Sequence, residues 1–303
     1  MGTPEFATPS LNALLREHDV AAVVTRADKP KGRGKKISYS SVKLAAMEHG
    51  LTALQPKSFK DEGFLERLIA FRADAFVVTA YGRILPKAAL EAPKYGCVNV
   101  HPSLLPKYRG ASPIHSAIIN GEKKTGVSVM RLDEGMDTGD VISRDEIIIE
   151  NDDTYGSLHD RLAVLGAKAL LAALSLIERG EARFEKQNDA EATYSTLITP
   201  DTGRLDWRKD AREIVNLIRG VTPSPGAKVT FKGETLKIIA ARAEEDASCG
   251  APGEIIAVTS EGICVQAKTG RVVITKLQPP GKKPMEALAY VNGHSVGAGE
   301  FFD

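Results

Sequence analysis

With 303 residues, 43% of them hydrophobic, the chain is long enough for about two domains, each with a core of its own. A formal net charge of +1 excludes a uniformly basic nucleic-acid binder, so an anionic partner must be held by a local patch. No run approaches the roughly 20 apolar residues that span a bilayer, the first residues lack a signal-peptide pattern, and Cys97, Cys249 and Cys264 are scattered without metal-ligand spacing; a cytoplasmic protein with reduced thiols, no metal and no membrane partner is expected.

From residue 11 to about 150, short β-rich runs alternate with amphipathic stretches. Val20–Val24 reads as a strand, Ser40–His49 and Gly63–Phe71 as helices, and Ala75–Thr79 and Gly96–Val100 as strands. This βαβ rhythm predicts a parallel, Rossmann-like sheet with helices on both faces. Thr125–Arg131 and Asp140–Ile149 follow as strands, and Thr154–Arg179 as one long Ala- and Leu-rich helix. The periodicity then fades, and residues 187–205 read as a linker between an α/β domain at 1–186 and a second domain at 206–303. The second domain opens with a helix at Asp210–Arg219. Short β runs at Lys228–Phe231, Leu236–Ala240, Gly253–Val258, Gly262–Ala267 and Val272–Gln278, separated by Gly, Ser and Pro turns, predict a small β-barrel.

Asn99-Val-His101-Pro-Ser103 sits where the Gly96–Val100 strand ends, and Asp133-Glu-Gly135-Met-Asp137-Thr-Gly139-Asp140 forms a later glycine-flanked loop. In an open α/β sheet, ligands bind outside the carboxyl ends of the strands. Asn99 and His101, two apart, project to the same side. A carboxamide can donate to an oxyanion, an imidazole can exchange a proton near neutrality, and a carboxylate can accept from that imidazole or pass a proton through water. Together they suit carbonyl-group transfer through a tetrahedral intermediate. Alternatively, His101 is an ordinary hydrogen-bonded histidine and Asn99 a satisfied buried amide. His115 and His159 lie on helical stretches and read as structural; His18, His49 and His294 lie near turns.

A second feature is the basic segment Arg26, Lys29, Lys31, Arg33, Lys35, Lys36 and Lys43, with only Asp28 opposing it. Pro30, Gly32 and Gly34 disfavour regular structure, so it reads either as a solvated flexible loop or as one that follows a phosphate backbone.

The run Asn99-Val-His101-Pro-Ser103-Leu-Leu-Pro106 with Asp137-Thr-Gly139-Asp140 resembles the signature of the 10-formyltetrahydrofolate-dependent formyltransferases. Gly2-Thr-Pro-Glu-Phe6-Ala, Asp28-Lys-Pro-Lys-Gly32-Arg33-Gly-Lys-Lys36 and Ala80-Tyr-Gly-Arg83-Ile-Leu85-Pro86 resemble further loops of that family. The resemblance implies a doubly wound formyltransferase domain followed by an OB-like domain, with Asn99, His101 and Asp137 as the catalytic group. It implies 10-formyltetrahydrofolate as co-substrate, held by Arg83, Ile84, Leu85, Ser103, Leu104, Leu105, Pro106, Asp133 and Gly135. By composition alone, Ile84 and Leu85 are core residues. The resemblance also implies initiator methionyl-tRNA as acceptor, gripped by Lys31, Arg33, Lys35 and Lys36 and by second-domain cations including Lys228, Lys232, Lys237, Arg271, Lys276, Lys282 and Lys283. A monomer is expected. Other acceptors compatible with the same trio are an amino sugar nucleotide or, in a folate hydrolase, water; a tRNA-binding protein without activity is a third reading. Related sequences carry an apolar strand before the Gly2-Thr-Pro loop, so the natural start is expected upstream of Met1, or that strand has been lost. In the family an aromatic more often lies between the prolines where Ser224 stands, so looser packing is expected there.

Overall fold

The computed structural model describes residues 1–31, 36–245 and 249–303. By compactness the chain divides into two units, one of Met1–Pro113, Thr125–Ile147 and His159–Ser195, the other of Ile114–Lys124, Ile148–Leu158 and Thr196–Asp303. The fold is α/β throughout the first unit and mainly β in the second.

In the first unit Phe76–Thr79, Cys97–His101, Lys124–Arg131 and Val141–Ile148 form a sheet in that order. The first two strands are parallel, but Cys97–His101 and Lys124–Arg131 are antiparallel, so the sheet is mixed where a parallel one was expected. Both strands are buried nearly throughout, and a strand covered on both faces has the same apolar pattern in either direction. Val23–Val24 pairs in parallel with Ala53–Leu54. Met1 and Gly2 join the two groups of strands, with Gly2 N donating to Val24 C=O and Thr79 N donating to Met1 C=O. A cavity of about 550 Å3 adjoins them, lined by Leu11, Val23, Val42, Leu68, Phe76 and Val77 among others.

Two of the helices begin where a side chain satisfies their first N–H groups. Ser40 Oγ accepts from Lys43 N at the head of Ser41–Glu48, and Ala45 and Ala46 on that helix pack with Val23 and Leu11. The long helix spans Tyr155–Glu178, as its composition predicts.

The basic segment has more regular structure than Pro30 and its glycines suggest. Lys29–Lys31 pairs antiparallel with Lys36–Ser38, making a two-stranded ribbon. At its base Asp28 is held by Lys43 and Gln55. A proline is tolerated in such a ribbon because only two strands compete for its backbone. Arg33 and Lys35 lie outside the described residues.

The 187–205 stretch is not a uniform linker. Tyr194–Ser195 adds in parallel to Arg109–Gly110, and Gln187 is buried, so residues up to 195 are built into the first unit. Leu205 and Trp207 belong to the core of the second.

In the second unit the helix Ala211–Gly220 begins with a reciprocal cap between Asp210 and Glu213 and buries Ile214, Val215 and Ile218. The strands Ala227–Phe231, Glu234–Glu244, Arg271–Gln278, Gly262–Gln266 and Ile255–Thr259 follow in that order across an antiparallel sheet, with Met285–Glu286 added to Arg271–Gln278. The barrel expectation is met loosely: the two outer strands are not paired with each other. The chain's last residues bridge them instead. Asp303 exchanges two backbone hydrogen bonds with Thr230 on one edge, while Ile255 N donates to Glu300 C=O and Phe302 N to Gly253 C=O on the other. Phe302 is buried between Trp207 and Phe231. Ser224, in the Pro-rich segment, is exposed.

Candidate active site

Asn99 and His101 occupy the C-terminal half of the Cys97–His101 strand, opposite Met130 and Ser128. Both are buried. Strand alternation turns their side chains to one face. The Asn99 carboxamide makes no hydrogen bond to any other described residue.

His101 Nε2 lies 3.0 Å from Tyr108 C=O. A carbonyl only accepts, so Nε2 carries a proton, and Nδ1 is the nitrogen that can gain or lose one. Nδ1 faces Asp137 Oδ2 at 3.6 Å, an ion-pair separation longer than a hydrogen bond. The bond expected from His101 to Asp137 is therefore open by several tenths of an ångström. Asp137 Oδ2 instead accepts from Gly110 N at 2.8 Å.

Asp137 arrives on a loop, as expected, but the glycines act through close packing. A Cβ on Gly139 would collide with the Arg131 carbonyl, and one on Gly135 with the Thr138 hydroxyl. The left-handed conformation falls on Asp137 itself, at φ 55°. Asp133 pins the other side of the loop, accepting from Gly135 N and the Thr138 hydroxyl.

Sequence reasoning missed what holds this loop. Arg109, 1% exposed, points Nε and Nη2 at Gln187 Oε1 and Nη2 also at Asp189. Burial opposes the guanidinium's charge, and Asp189 and Tyr194 outweigh it. Gln187 Nε2 in turn reaches Asp137 C=O and Gly139 C=O. The partners of Arg109 lie some 80 positions along the chain, where no local period marks them.

The expected folate residues separate into three groups. Ile84 is 81% exposed and is not a core residue, whereas Leu85 is buried with Leu54, Tyr81 and Ala89. A short helix begins at Lys87, and Ile84 stands on the loop before it. Arg83 donates to Pro56 C=O and lies over the Tyr81 ring. Ser103 donates to Lys107 C=O, Leu105 is buried with Met130 and Val141, and Leu104 and Pro106 are half-buried, with a cis bond between Leu105 and Pro106. Asp133 and Gly135 are exposed.

Cys97, two residues before Asn99 on the same strand, is buried and donates to Ala89 C=O, and burial pushes its thiol up to about 12, which disfavours a nucleophilic thiolate. His159 packs edge-on to Phe6, and His115 stacks on Tyr155, both in structural settings. No cluster of metal-ligating side chains occurs among the described residues.

Of the second-unit cations, Lys232 pairs with Glu300, Arg271 with Glu244, and Lys276 lies 3.8 Å from Glu286. Lys228 and Lys237 stand directly opposite each other on adjacent strands, and Lys282 and Lys283 are exposed.

Residues 1–174 match the model of a family described as formyl transferase, and residues 197–295 match its C-terminal domain. The chain is 47% identical over 300 residues to a methionyl-tRNA formyltransferase of Alkaliphilus metalliredigens, covering 99% of this chain and 96% of that protein. It is 45% identical over 300 residues to one of Syntrophus aciditrophicus, with the same coverage. Among solved structures it resembles an N-formyltransferase of Helicobacter canadensis crystallised with folinic acid and dTDP-3-aminofucose, at TM-score 0.67 and 20% identity over 92% of this chain and 97% of that one.

Proposed function

The chain belongs to the formyl transferase family, and on that premise we propose that it moves the formyl group of 10-formyltetrahydrofolate to the amino group of methionine on initiator methionyl-tRNA, acting as a monomer in the cytoplasm. Similarity over nearly the full length to methionyl-tRNA formyltransferases supports the acceptor. The observation that carries the chemistry is the convergence of His101 Nδ1 and Asp137 Oδ2 beside the strand that bears an uncommitted Asn99 amide.

In the reaction the methionine nitrogen attacks the formyl carbon, a C–N bond forms, and the carbonyl electrons move to oxygen. Asn99 donates to that oxyanion, joined by His101 when Nδ1 is protonated. Collapse breaks the bond to the folate nitrogen, which must gain a proton as the methionine nitrogen loses one. His101 gives the proton on Nδ1 to the folate nitrogen, while Asp137, with Oδ2 fixed by Gly110 N, takes the proton lost by the methionine nitrogen through water and returns it to His101 Nδ1, so that one net proton passes between the nitrogens.

We assign the folate to the surface made by Arg83, Ile84, Leu85, the segment Ser103–Pro106, Asp133 and Gly135. Ile84, 81% exposed on the loop before the Lys87 helix, is free of the core and able to offer an apolar contact there. We assign the tRNA to the basic segment bearing Lys31, Arg33, Lys35 and Lys36, and to Lys228, Lys237, Lys282 and Lys283 of the second unit.

The test is transfer of labelled formyl from 10-formyltetrahydrofolate to methionyl initiator tRNA, with elongator methionyl-tRNA and an amino sugar nucleotide as competing acceptors. Formylation restricted to the initiator is expected; transfer to the sugar nucleotide alone would replace this acceptor.

A further inference from the structure

Gln187 stands at the centre of a chain of contacts that the reaction described above does not use. Its carboxamide oxygen lies 3.1 Å from Arg109 Nε and 3.0 Å from Arg109 Nη2, and its nitrogen lies 2.8 Å from both the Asp137 and the Gly139 carbonyl oxygens. A guanidinium can only donate and a carbonyl can only accept. The amide therefore has one orientation: turned over, its NH2 would face a guanidinium and its oxygen two carbonyls. Arg109 is in turn fixed by Asp189 and Tyr194, and its backbone by Thr193 and Ser195.

The two carbonyls that Gln187 holds are that of Asp137 itself, which is in the left-handed conformation, and that of Gly139 two residues on. For a non-glycine residue this conformation costs on the order of 1–3 kcal/mol and persists where surrounding structure enforces it. Gly110, adjoining Arg109, donates to the Asp137 carboxylate. One short segment, Arg109–Gly110, thus controls both ends of the Asp137 residue: the side chain directly, and the main chain through Gln187.

We propose that Gln187 is a positioning residue, whose amide, oriented by buried Arg109, sets the separation between Asp137 and His101 and so the proton transfer between them. The proposal rests on the catalytic reading of Asp137. It assigns to the end of the first unit, some 50 residues beyond the loop, a direct effect on rate.

The test compares Gln187→Glu and Gln187→Met with the unaltered enzyme in single-turnover formyl transfer across pH. Gln187→Glu keeps the shape and the Arg109 pairing but sets carboxylate oxygens against two carbonyls; Gln187→Met keeps the volume without donors. Both are expected to lower the single-turnover rate by about 10- to 100-fold, the scale of displacing a catalytic group by up to about an ångström, below the ~10²- to 10⁴-fold of removing a general base outright. KM for both substrates should stay within about threefold on the same reasoning, and the limbs of the pH–rate profile should move. A wild-type rate and pH profile in Gln187→Met that melts cooperatively overturns the proposal. So does a fall in melting temperature with unchanged rate per folded molecule, which marks a merely structural amide. Asp137→Asn, run alongside, separates the two levels: its full activity would overturn the catalytic reading itself, whatever the Gln187 variants do.

Discussion

Gly110 and Asp137, 27 positions apart, are joined by a backbone-to-carboxylate hydrogen bond of 2.8 Å, so Asp137 Oδ2 is already engaged before any substrate arrives. The remaining oxygen and the gap to His101 Nδ1 are where a water or a reacting nitrogen can be served.

Asp137→Asn preserves this arrangement sterically, because the carboxamide oxygen can accept from Gly110 N in place of Oδ2. The fold should therefore survive, with melting temperature close to the unaltered protein's. Turnover should fall by at least ~10²-fold, the lower range for removing a positioned base, measured as initial rates of formyl transfer. Activity near that of the parent would exclude Asp137 as the base.

Asn99→Ala removes the donor to the developing oxyanion. A loss of about 10²- to 10³-fold in kcat with little change in KM is expected. An equal loss in binding of folate, by calorimetry, and none in kcat would show that Asn99 holds the co-substrate instead.

The lysines facing each other across two strands predict opposite effects on stability and on binding. Like charges directly opposite destabilise a strand pair, so Lys237→Gln should raise stability by about 0.2–1 kcal/mol in urea unfolding. It should also weaken initiator-tRNA binding and make the salt dependence shallower by roughly one unit of slope. Unchanged affinity would remove this strand pair from the tRNA surface. Arg33→Ala should act on the same two quantities and leave single-turnover chemistry with bound substrate unchanged.

At the base of the basic ribbon, the hydrogen bond from Lys43 holds the Asp28 carboxyl below the usual carboxylate range, with Gln55 adding to it. A folded-state pKa depressed in this way contributes stability above the unfolded pKa, and the contribution disappears as pH falls through the folded value. Lys43→Met should therefore lower melting temperature at neutral pH, with the difference from the parent shrinking as pH falls below the usual carboxylate range. A difference that persisted at the acid end would trace instead to lost contact of Lys43 with the Tyr39 ring.

Local pattern carried most of this architecture. The β runs and the Tyr155–Glu178 helix stand within a few residues of where periodicity puts them, because each buries a face or a stripe that composition reveals. Asn99, His101 and the Asp137 loop were legible for a similar reason: turn residues mark the ends of the elements that carry them. What local pattern could not show was pairing between distant segments. The antiparallel direction of Lys124–Arg131, the addition of Tyr194–Ser195 to Arg109–Gly110, and the Gln187 amide all depend on partners far along the chain. Ile84 is the converse case, an apolar residue whose surroundings, and not its type, leave it in water.

Residues 300–303 span from Thr230 to Gly253 and Ile255, and they follow in sequence every strand whose edge they cover. Without these residues the sheet of the second unit has two open edges, Ala227–Phe231 and Ile255–Thr259, each offering unpaired backbone groups. Only when Phe302 reaches its place between Trp207 and Phe231 do those edges cease to be templates for another chain. A polypeptide clipped before Glu300 would thus be the aggregation-prone form of this protein, even though Asn99, His101 and Asp137 would all be present in it.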